Sequence, residues 1–283
     1  MRYGWKQLRD DNQMKYRRRT VSNFLFQVIQ NRDLIFSLAK REMLQQYIGS
    51  LLGLMWTFIH PVVLVLVLWV VFQLVFKVQP KNDVPFIVWL ATGMAAWFVF
   101  ADSVNGAASS VVSNSNLVKR TVLPAQVLPV VRIVASMATH LIFLLVILAL
   151  LLYERMTFSV YFLQFLYYLF CEVVLALGVG WAVSGIHVYI RDTQPIVDMA
   201  LRMGFWVTPI FWDFDMAPPG IQWMLKLNPM LYIVQGYRDS FIYFCPFWHH
   251  PVQTGYFWIV AIFLLGAGMW VFRRLSLHFA EVL

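Results

Sequence analysis

Residues 187–239 read HVYIRDTQPIVDMALRMGFWVTPIFWDFDMAPPGIQWMLKLNPMLYIVQGYRD. A helix that crosses the ~30 Å hydrocarbon core of a bilayer needs ~20 apolar residues at 1.5 Å each. Residues 195–212 form an apolar run just long enough to meet that requirement. This stretch therefore predicts one membrane crossing, and the residues after 212 indicate how the remainder of the chain is arranged.

The apolar sequence after residue 212 is cut into pieces too short to cross. Two aspartates and a Pro-Pro-Gly turn precede residues 221–227, and Asn228-Pro229 separates that piece from residues 230–244. Short helices at membrane depth persist only where protein or a water-filled cavity surrounds them. We expect this region to line a pathway rather than to face lipid.

The composition excludes a soluble globular protein. The 283 residues are 60% hydrophobic and only 13% charged, with a mean hydropathy of +0.67. Such values are typical of an all-α integral membrane protein. The net charge of +8 is concentrated outside the apolar runs, which favours lipid headgroups over nucleic acid as its partner.

Six apolar runs are predicted to span the membrane within one domain, residues 31–283. Pro61 is placed to kink the first of them, and small residues in the second allow close helix packing. The predicted spans are residues 51–76, 85–112, 127–153, 158–188, 195–212 and 255–272.

The N-terminal segment is predicted to lie on the membrane surface. Residues 1–30 are basic and soluble in character, and residues 31–49 form an amphipathic interface helix with Asn31 as its N-cap. Of the Lys and Arg residues in the connections, 17 lie on the side of the termini and five on the opposite side. The positive-inside rule therefore places both termini in the cytoplasm.

The sequence predicts no catalytic apparatus and no bound metal. It contains no phosphate-binding loop and no HExxH, CxxC or GxSxG motif. His249-His250 is interpreted as part of an ordinary outer loop, and Cys171 and Cys245 as unpaired thiols.

Three carboxylates lie within or beside spans, and each has two interpretations. Asp198 is spaced to form a local ion pair with Arg202. Asp102 and Glu172 are suited either to interhelical hydrogen bonds or to a proton relay.

Aromatic residues also have two interpretations. They fit an interfacial belt and core packing, and some of them also fit the wall of a conduit in which sugar rings stack on aromatic faces. The conduit candidates are Trp69, Phe72, Phe205, Trp206 and Trp212.

The connection at residues 114–126 is either a solvated loop or a docking patch for a cytosolic partner. Its basic and apolar side chains are compactly arranged. The candidate docking residues are Leu117, Lys119, Arg120, Leu123 and Pro124.

Four segments together resemble a known family. They are REMLQQYIGSLLGLMWTFIHP (41–61), NLVKRTVLPAQVLPVV (116–131), YIRDTQPIVDMALRMGFWVTPI (189–210) and NPMLYIVQGYRD (228–239). In this order they are similar to the membrane subunit of polysaccharide-exporting ABC transporters, which move O-antigen, capsule or teichoic acid chains.

The resemblance implies a bacterial inner-membrane homodimer that works with two copies of a separate ATPase subunit. ATP and Mg would be bound by that subunit, so this chain would carry no cofactor and would not itself be an enzyme. The resemblance also implies a coupling helix at 116–126 and two re-entrant gate helices at 221–227 and 230–244. The gate candidates are Pro209, Asn228, Pro229 and Arg238.

The cargo implied by the resemblance is a lipid-linked, O-antigen-like polysaccharide moved outward across the inner membrane. Capsule, teichoic acid or a drug remain alternatives within the same class. A proton-coupled secondary transporter that uses Asp102 and Glu172 is the alternative from a different class.

Overall fold

The structure is a computed structural model that describes residues 21–45, 53, 55–78, 84–120 and 124–283. Every long element in these ranges is a helix. The helices are α1 Val21–Gln30, α2 Arg32–Gln45, α3 Met55–Trp69, α4 Phe86–Ser113, α5 Ser115–Arg120, α6 Val127–Tyr153, α7 Phe165–Tyr189, α8 Thr193–Val207, α9 Pro219–Lys226, α10 Pro229–Arg238, α11 Pro251–Ser276 and α12 Phe279–Val282.

Helix α4 is the centre of the bundle. Of its most apolar window, 78% is buried, against 28% for both α6 and α11. It contacts α6, α7, α8 and α10. Its Ala, Gly and Ser residues allow these neighbours to approach closely, whereas the apolar surfaces of α6 and α11 are left to face lipid.

Four helical segments are long and apolar enough to cross a membrane, which agrees with an all-α integral membrane protein. They are Phe86–Ser113, Val127–Tyr153, Val160–Tyr189 and Pro251–Ser276. The second matches its predicted bounds, the first is shifted by one residue, and the last is longer than predicted because Pro251 begins the helix. The third opens with a 3-10 turn, Val160–Gln164, before α7.

The other two predicted spans, 51–76 and 195–212, are not among these four helices. Helix α3 runs through Pro61 without a break and ends in a wider π-helical turn, Val70–Val75. Residues 51, 52 and 54 of that predicted span lie outside the described part of the chain. Helix α8 has 15 residues, about 22 Å at 1.5 Å per residue, so it is too short to cross straight.

The early end of α8 corrects the predicted bounds 195–212. Thr208 is extended, with ψ 135°, because a residue before proline is disfavoured in helical conformation and Pro209 follows. The chain then turns back before reaching α9. The predicted short pieces are α9 and α10, and the latter is continued by a π-helical turn, Asp239–Tyr243.

The predicted interface helix corresponds to α2, and a further helix, α1, lies in the preceding stretch that was expected to be soluble. The side-chain amide of Asn31, the predicted N-cap, donates to the carbonyl of Gln27 at 2.7 Å. Ile35 and Ala39 of α2 pack against α6, while its basic side chains are exposed. Leu34, Phe36 and Leu44 of α2 are exposed as well. Residues 1–20 and 46–49 of the predicted segments lie outside the described residues.

The bundle has two distinct ends. The N-terminal ends of α4, α7 and α11 lie together with α10, as the bond from Gln164 Nε2 to Cys245 O (2.9 Å) indicates. At the opposite end, Phe24 of α1 packs edge-on against Trp181 of α7 at 5.0 Å. Tyr189 OH donates to Leu275 O at that same end.

Helices α7 and α11 pack at glycine. A methyl group on Gly268 would overlap the carbonyl oxygen of Gly178, whereas one on Gly266, on another face of α11, would meet nothing within 4 Å. Gly268→Ala should therefore destabilise the protein by ~1–3 kcal/mol, the usual cost of overpacking. Thermal unfolding in detergent measures this. Gly266→Ala should unfold like the parent, and equal unfolding temperatures for both variants would contradict the packing.

Candidate functional site

A buried arginine joins three parts of the chain at the end of the bundle near α10. The side chain of Arg238 is almost fully buried. Its guanidinium carbon lies 3.5 Å from the ring centroid of Trp89 on α4. Its Nη1 and Nη2 donate to the carbonyls of Pro209 (2.9 Å) and Ile210 (2.7 Å). Arg238 therefore fixes the turn after α8 against both α4 and α10.

Asn228 holds the same turn from the other side. Its Oδ1 accepts from the Met230 amide at 3.0 Å and so caps α10, and Pro229 occupies the first turn. Its Nδ2 donates to Thr208 Oγ1 at 2.9 Å. The structure thus brings together the four residues predicted as a gate, Pro209, Asn228, Pro229 and Arg238.

A polar cavity of about 360 Å³ opens beside this cluster. Burial lowers the pKa of Arg238 to about 9, against the opposing effect of Tyr243, Asp213 and Asp239, so the guanidinium stays charged near neutral pH. Aromatic and hydrogen-bonding side chains alternate around the cavity. They include Trp89, Phe214, Lys226, Gln235, Gln253 and Tyr256.

A larger cavity of about 810 Å³ lies between α3, α4, α6 and α8. Two of the five conduit candidates, Phe205 and Trp206, line it directly. Phe72 and Trp212 lie one layer behind: Phe72 packs on Phe211 at 4.8 Å, and the Trp212 indole donates to Trp206 O at 3.3 Å. Among the described lining residues Trp69 is absent, and it packs against the core instead.

The cavity wall also contains residues that sequence analysis missed. Trp56, His60, Trp97 and Phe98 face the cavity. Trp97 and Phe98 carry a possible signal, because they belong to the dense aromatic segment of the second predicted span. His60 has no such signal, since a lone histidine in an apolar run does not identify a cavity.

Hydrogen bonds connect α4 to α8 at the cavity's polar end. Asn105 Nδ2 donates to Asp198 Oδ1 at 2.5 Å, and Gln194 Nε2 donates to Asn105 Oδ1. The expected Asp198–Arg202 ion pair does not form between these two described residues. Asp198 instead accepts from Asn105 of α4, so its hydrogen bond joins two helices rather than two turns of α8.

Glu172 and Asp102 lie in different surroundings. Glu172 is buried and accepts from Tyr237 OH at 3.2 Å, and the same hydroxyl lies 3.0 Å from His140 Nε2. Asp102 lines the large cavity. Glu172 therefore makes the interhelical hydrogen bond that was one of its two predicted roles.

The candidate docking segment is at the opposite end of the bundle from Arg238. Helix α5 carries an exposed Lys119 and a partly buried Leu117, and Pro124 follows in the turn before α6. Leu123 and the side chain of Arg120 lie outside the described part of the structure. Helix α12 contacts α5, so the C-terminus supports this segment.

The interface helix is tied to the same end. Arg132 Nη1 of α6 forms an ion pair with Glu42 Oε2 of α2 at 3.3 Å. Asn114 Nδ2, at the end of α4, donates to Glu42 Oε1 at 3.3 Å. Glu42 thus joins the surface helix to two bundle helices.

Residues 33–242 match the ABC-2 type transporter family, which is most of the chain. This chain belongs to that family. As an ABC-2 type permease it is the membrane subunit of a transporter, and the four long apolar helices agree with a multi-pass membrane protein.

Curated relatives of this ABC-2 permease carry a more specific name. This chain is 27% identical over 252 residues to an O-antigen export system permease protein RfbA of Klebsiella pneumoniae. The alignment covers 89% of this chain and 95% of that protein. A protein of the same name from Myxococcus xanthus is 29% identical over 218 residues, 76% of this chain and 82% of the relative.

Proposed function

We propose that this ABC-2 permease is the membrane subunit of an ATP-driven exporter of a lipid-linked, O-antigen-like polysaccharide. The cargo would move from the cytoplasmic to the periplasmic side of a bacterial inner membrane. The observation that carries the proposal is the similarity to proteins named O-antigen export permeases over nearly the full length of both chains. ATP hydrolysis is assigned to a separate partner subunit, in two copies, each with bound Mg.

The large cavity supports a conduit for sugar chains. Aromatic faces on its wall offer stacking surfaces that need no sequence-specific hydrogen bond, so a chain could slide past them. In a single copy of the chain the cavity is open on one side, and the side chain of Trp206 there is 58% exposed. A homodimer would enclose the passage between two such walls, since closed two-fold assemblies are the commonest oligomers.

The Arg238 cluster supports a gate at the periplasmic end. Helices α9 and α10, with 8 and 10 residues, are too short to span and are held as re-entrant pieces by Arg238 and Asn228. With α3 and α8 counted as tilted or partial crossings, the chain has the six membrane segments that this assignment needs. The gate would open by moving the turn at Pro209–Ile210 relative to α4.

The opposite end of the bundle supports coupling to the ATPase. Helix α5 offers Lys119 outward, while Glu42 links α2 to α4 and α6. A push on α5 would therefore reach the helices that line the cavity. Basic side chains on α2 would keep this end on the anionic cytoplasmic leaflet.

Orientation is tested by cysteine labelling. Single cysteines introduced at Arg17, Arg120 or Lys226 into a background without Cys171 and Cys245 are treated with an impermeant thiol reagent in intact spheroplasts. Because α9 follows the periplasmic turn in this assignment, only the Lys226 site should label. Labelling of the Arg120 site without disruption of the membrane would reverse the orientation.

Coupling is tested by charge reversal on α5. Lys119→Glu with Arg120→Glu should leave membrane abundance unchanged but abolish stimulation of the partner ATPase and export together. Disrupting interfacial charge contacts of this kind costs ~2–5 kcal/mol, enough to prevent docking. Lys77→Glu with Arg155→Glu, two exposed basic residues at the other end of the bundle, is the control and should leave both activities unchanged. Persistence of both activities in the α5 variant would reduce this segment to a simple connection.

The nature of the cargo is tested separately. Deletion of the gene in its host should trap lipid-linked polysaccharide at the cytoplasmic leaflet, and the parent chain should restore export. Normal surface glycan in the deletion strain, with loss of a different amphiphile such as a capsule chain, teichoic acid or drug, would assign that amphiphile instead.

A further inference from the structure

Three side chains of metal-ligating type converge where α10 ends and α11 begins. Cys245 Sγ and Asp239 Oδ2 each lie 3.9 Å from His250 Nε2. The three donor atoms all lie within 4.8 Å of one another. In the sequence alone, His249-His250 is interpreted as part of an ordinary outer loop, and the turn after α10 is what brings Asp239 and Cys245 beside it.

The spacing suits one metal ion. The three donor atoms form a triangle with two sides of 3.9 Å and a third of at most 4.8 Å. The point equidistant from them lies about 2.5 Å from each atom, close to the ~2.0–2.3 Å bonds that zinc makes. A fourth candidate is nearby, since His249 Nδ1 lies 3.6 Å from the same sulfur. A small closure of the loop would therefore complete a tetrahedral set.

Hydrogen bonds from neighbouring side chains hold the segment that carries the three donor atoms. Gln235 Nε2 donates to Asp239 Oδ1 at 3.0 Å, which leaves Oδ2 turned toward His250. Gln164 of the turn before α7 donates to Cys245 O at 2.9 Å and accepts from the Phe247 amide at 3.1 Å. Such outer partners commonly orient metal ligands in proteins.

The backbone places the sulfur through a strained turn. Phe244 has φ 52° and ψ 36°, the left-handed region that a bulky residue seldom adopts. This turn reverses the chain so that the Cys245 amide bonds back to Asp239 O at 3.1 Å. Sulfur and carboxylate are thereby brought to the same side of the loop.

We propose that Asp239, Cys245 and His250 bind one transition-metal ion of the zinc class, with His249 or water as the fourth ligand. Thiolate, imidazole and carboxylate are all ligands that zinc uses, and this set is unlike the all-oxygen sets of calcium and magnesium. Binding would release the thiol proton to solvent. The site is distinct from ATP-bound Mg, and it does not depend on the identity of the cargo.

The position gives the metal a defined structural effect. Asp239 follows Arg238, whose guanidinium holds the Pro209–Ile210 turn, and His250 lines the polar cavity just before α11. A metal here would tie the end of α10 to the start of α11. The carboxylate is buried, whereas the His250 side chain is 42% exposed, so an ion can enter from the cavity.

The test uses the full-length protein, purified in detergent and stripped of metal with a chelator. Zinc added and then passed through gel filtration should remain at about one equivalent per chain by elemental analysis. Cobalt should give the near-ultraviolet absorption band of a cobalt–thiolate bond, and zinc should displace it. Cys245→Ser and His250→Gln should weaken binding by about a hundredfold or more, since loss of an outer partner alone costs ~10–100-fold.

Matched variants separate this site from unspecific binding. Cys171→Ala removes the other thiol and His278→Gln removes an exposed histidine at the opposite end, and both should bind like the parent. Gln164→Ala should weaken binding by ~10–100-fold as a positioning change. His249→Gln decides whether the fourth ligand is imidazole. A cobalt spectrum without a thiolate band, or unchanged binding by a Cys245→Ser protein that elutes like the parent, would overturn the proposal.

Discussion

Replacing Arg238 with methionine is expected to abolish glycan export and to destabilise the protein. The change removes two donors from the buried carbonyls of Pro209 and Ile210 and a cation from the face of Trp89. Each orphaned buried acceptor costs about 1–3 kcal/mol. The turn after α8 would lose its anchor, so the re-entrant helices could no longer close the outer end.

The measurements for Arg238→Met are surface glycan in cells with matched protein abundance and thermal unfolding in detergent. Arg155→Met removes an exposed arginine at the same end of the bundle that lines neither cavity, and it should leave both unchanged. Arg238→Lys retains the charge without the planar fork, so it should be only partly active. Parent-like export by Arg238→Met would show that this cluster does not control the passage.

Removing Trp206 and Phe72 together should stop export, whereas removing one of them should slow it. Trp206 lines the large cavity, and Phe72 supports it through Phe211, whose ring lies 4.9 Å from Trp206. Stacking contacts allow a sugar chain to slide because no single ring binds it tightly. A nucleic-acid base stacked on an aromatic side chain gains ~1–3 kcal/mol, and we expect each sugar contact to contribute no more than that.

The experiment compares Trp206→Ala with Phe72→Ala, singly and combined. Lipid-linked polymer should accumulate at the cytoplasmic leaflet in the double variant at normal abundance. Trp270→Ala with Phe263→Ala is the matched control, because both rings are exposed on the lipid side of α11 and outside either cavity. Wild-type surface glycan in the cavity double variant would confine those aromatics to packing.

The sequence predicted the membrane class and the long helices well, because continuous apolar runs are decided by composition alone. It placed the third span, 127–153, at the bounds of α6. The gate candidates Pro209, Asn228, Pro229 and Arg238 came from the family resemblance, and among them Asn228-Pro229 carries a local capping signal, which the bond from the Met230 amide to Asn228 Oδ1 shows in the structure. Capping motifs and the length of uncharged apolar runs can be read directly from a single sequence.

The errors have one local and one tertiary cause. The predicted span 195–212 followed the apolar run past Pro209, although a proline disfavours a helical conformation at the residue before it and α8 ends at Val207. Asp198 was assigned to Arg202 four residues away, but its partner Asn105 is on another helix. No periodicity in the sequence encodes such pairings.

The most direct measurement of the proposed transport uses inverted membrane vesicles that contain this permease and its partner ATPase. Lipid-linked polysaccharide is supplied to the outer, cytoplasmic leaflet, and its protection from an added glycosidase is followed over time. We expect protection to appear with ATP and Mg, and to disappear when this chain is omitted or carries Trp206→Ala with Phe72→Ala. Protection that is independent of ATP, or equal without this chain, would contradict its role as the polysaccharide-conducting subunit.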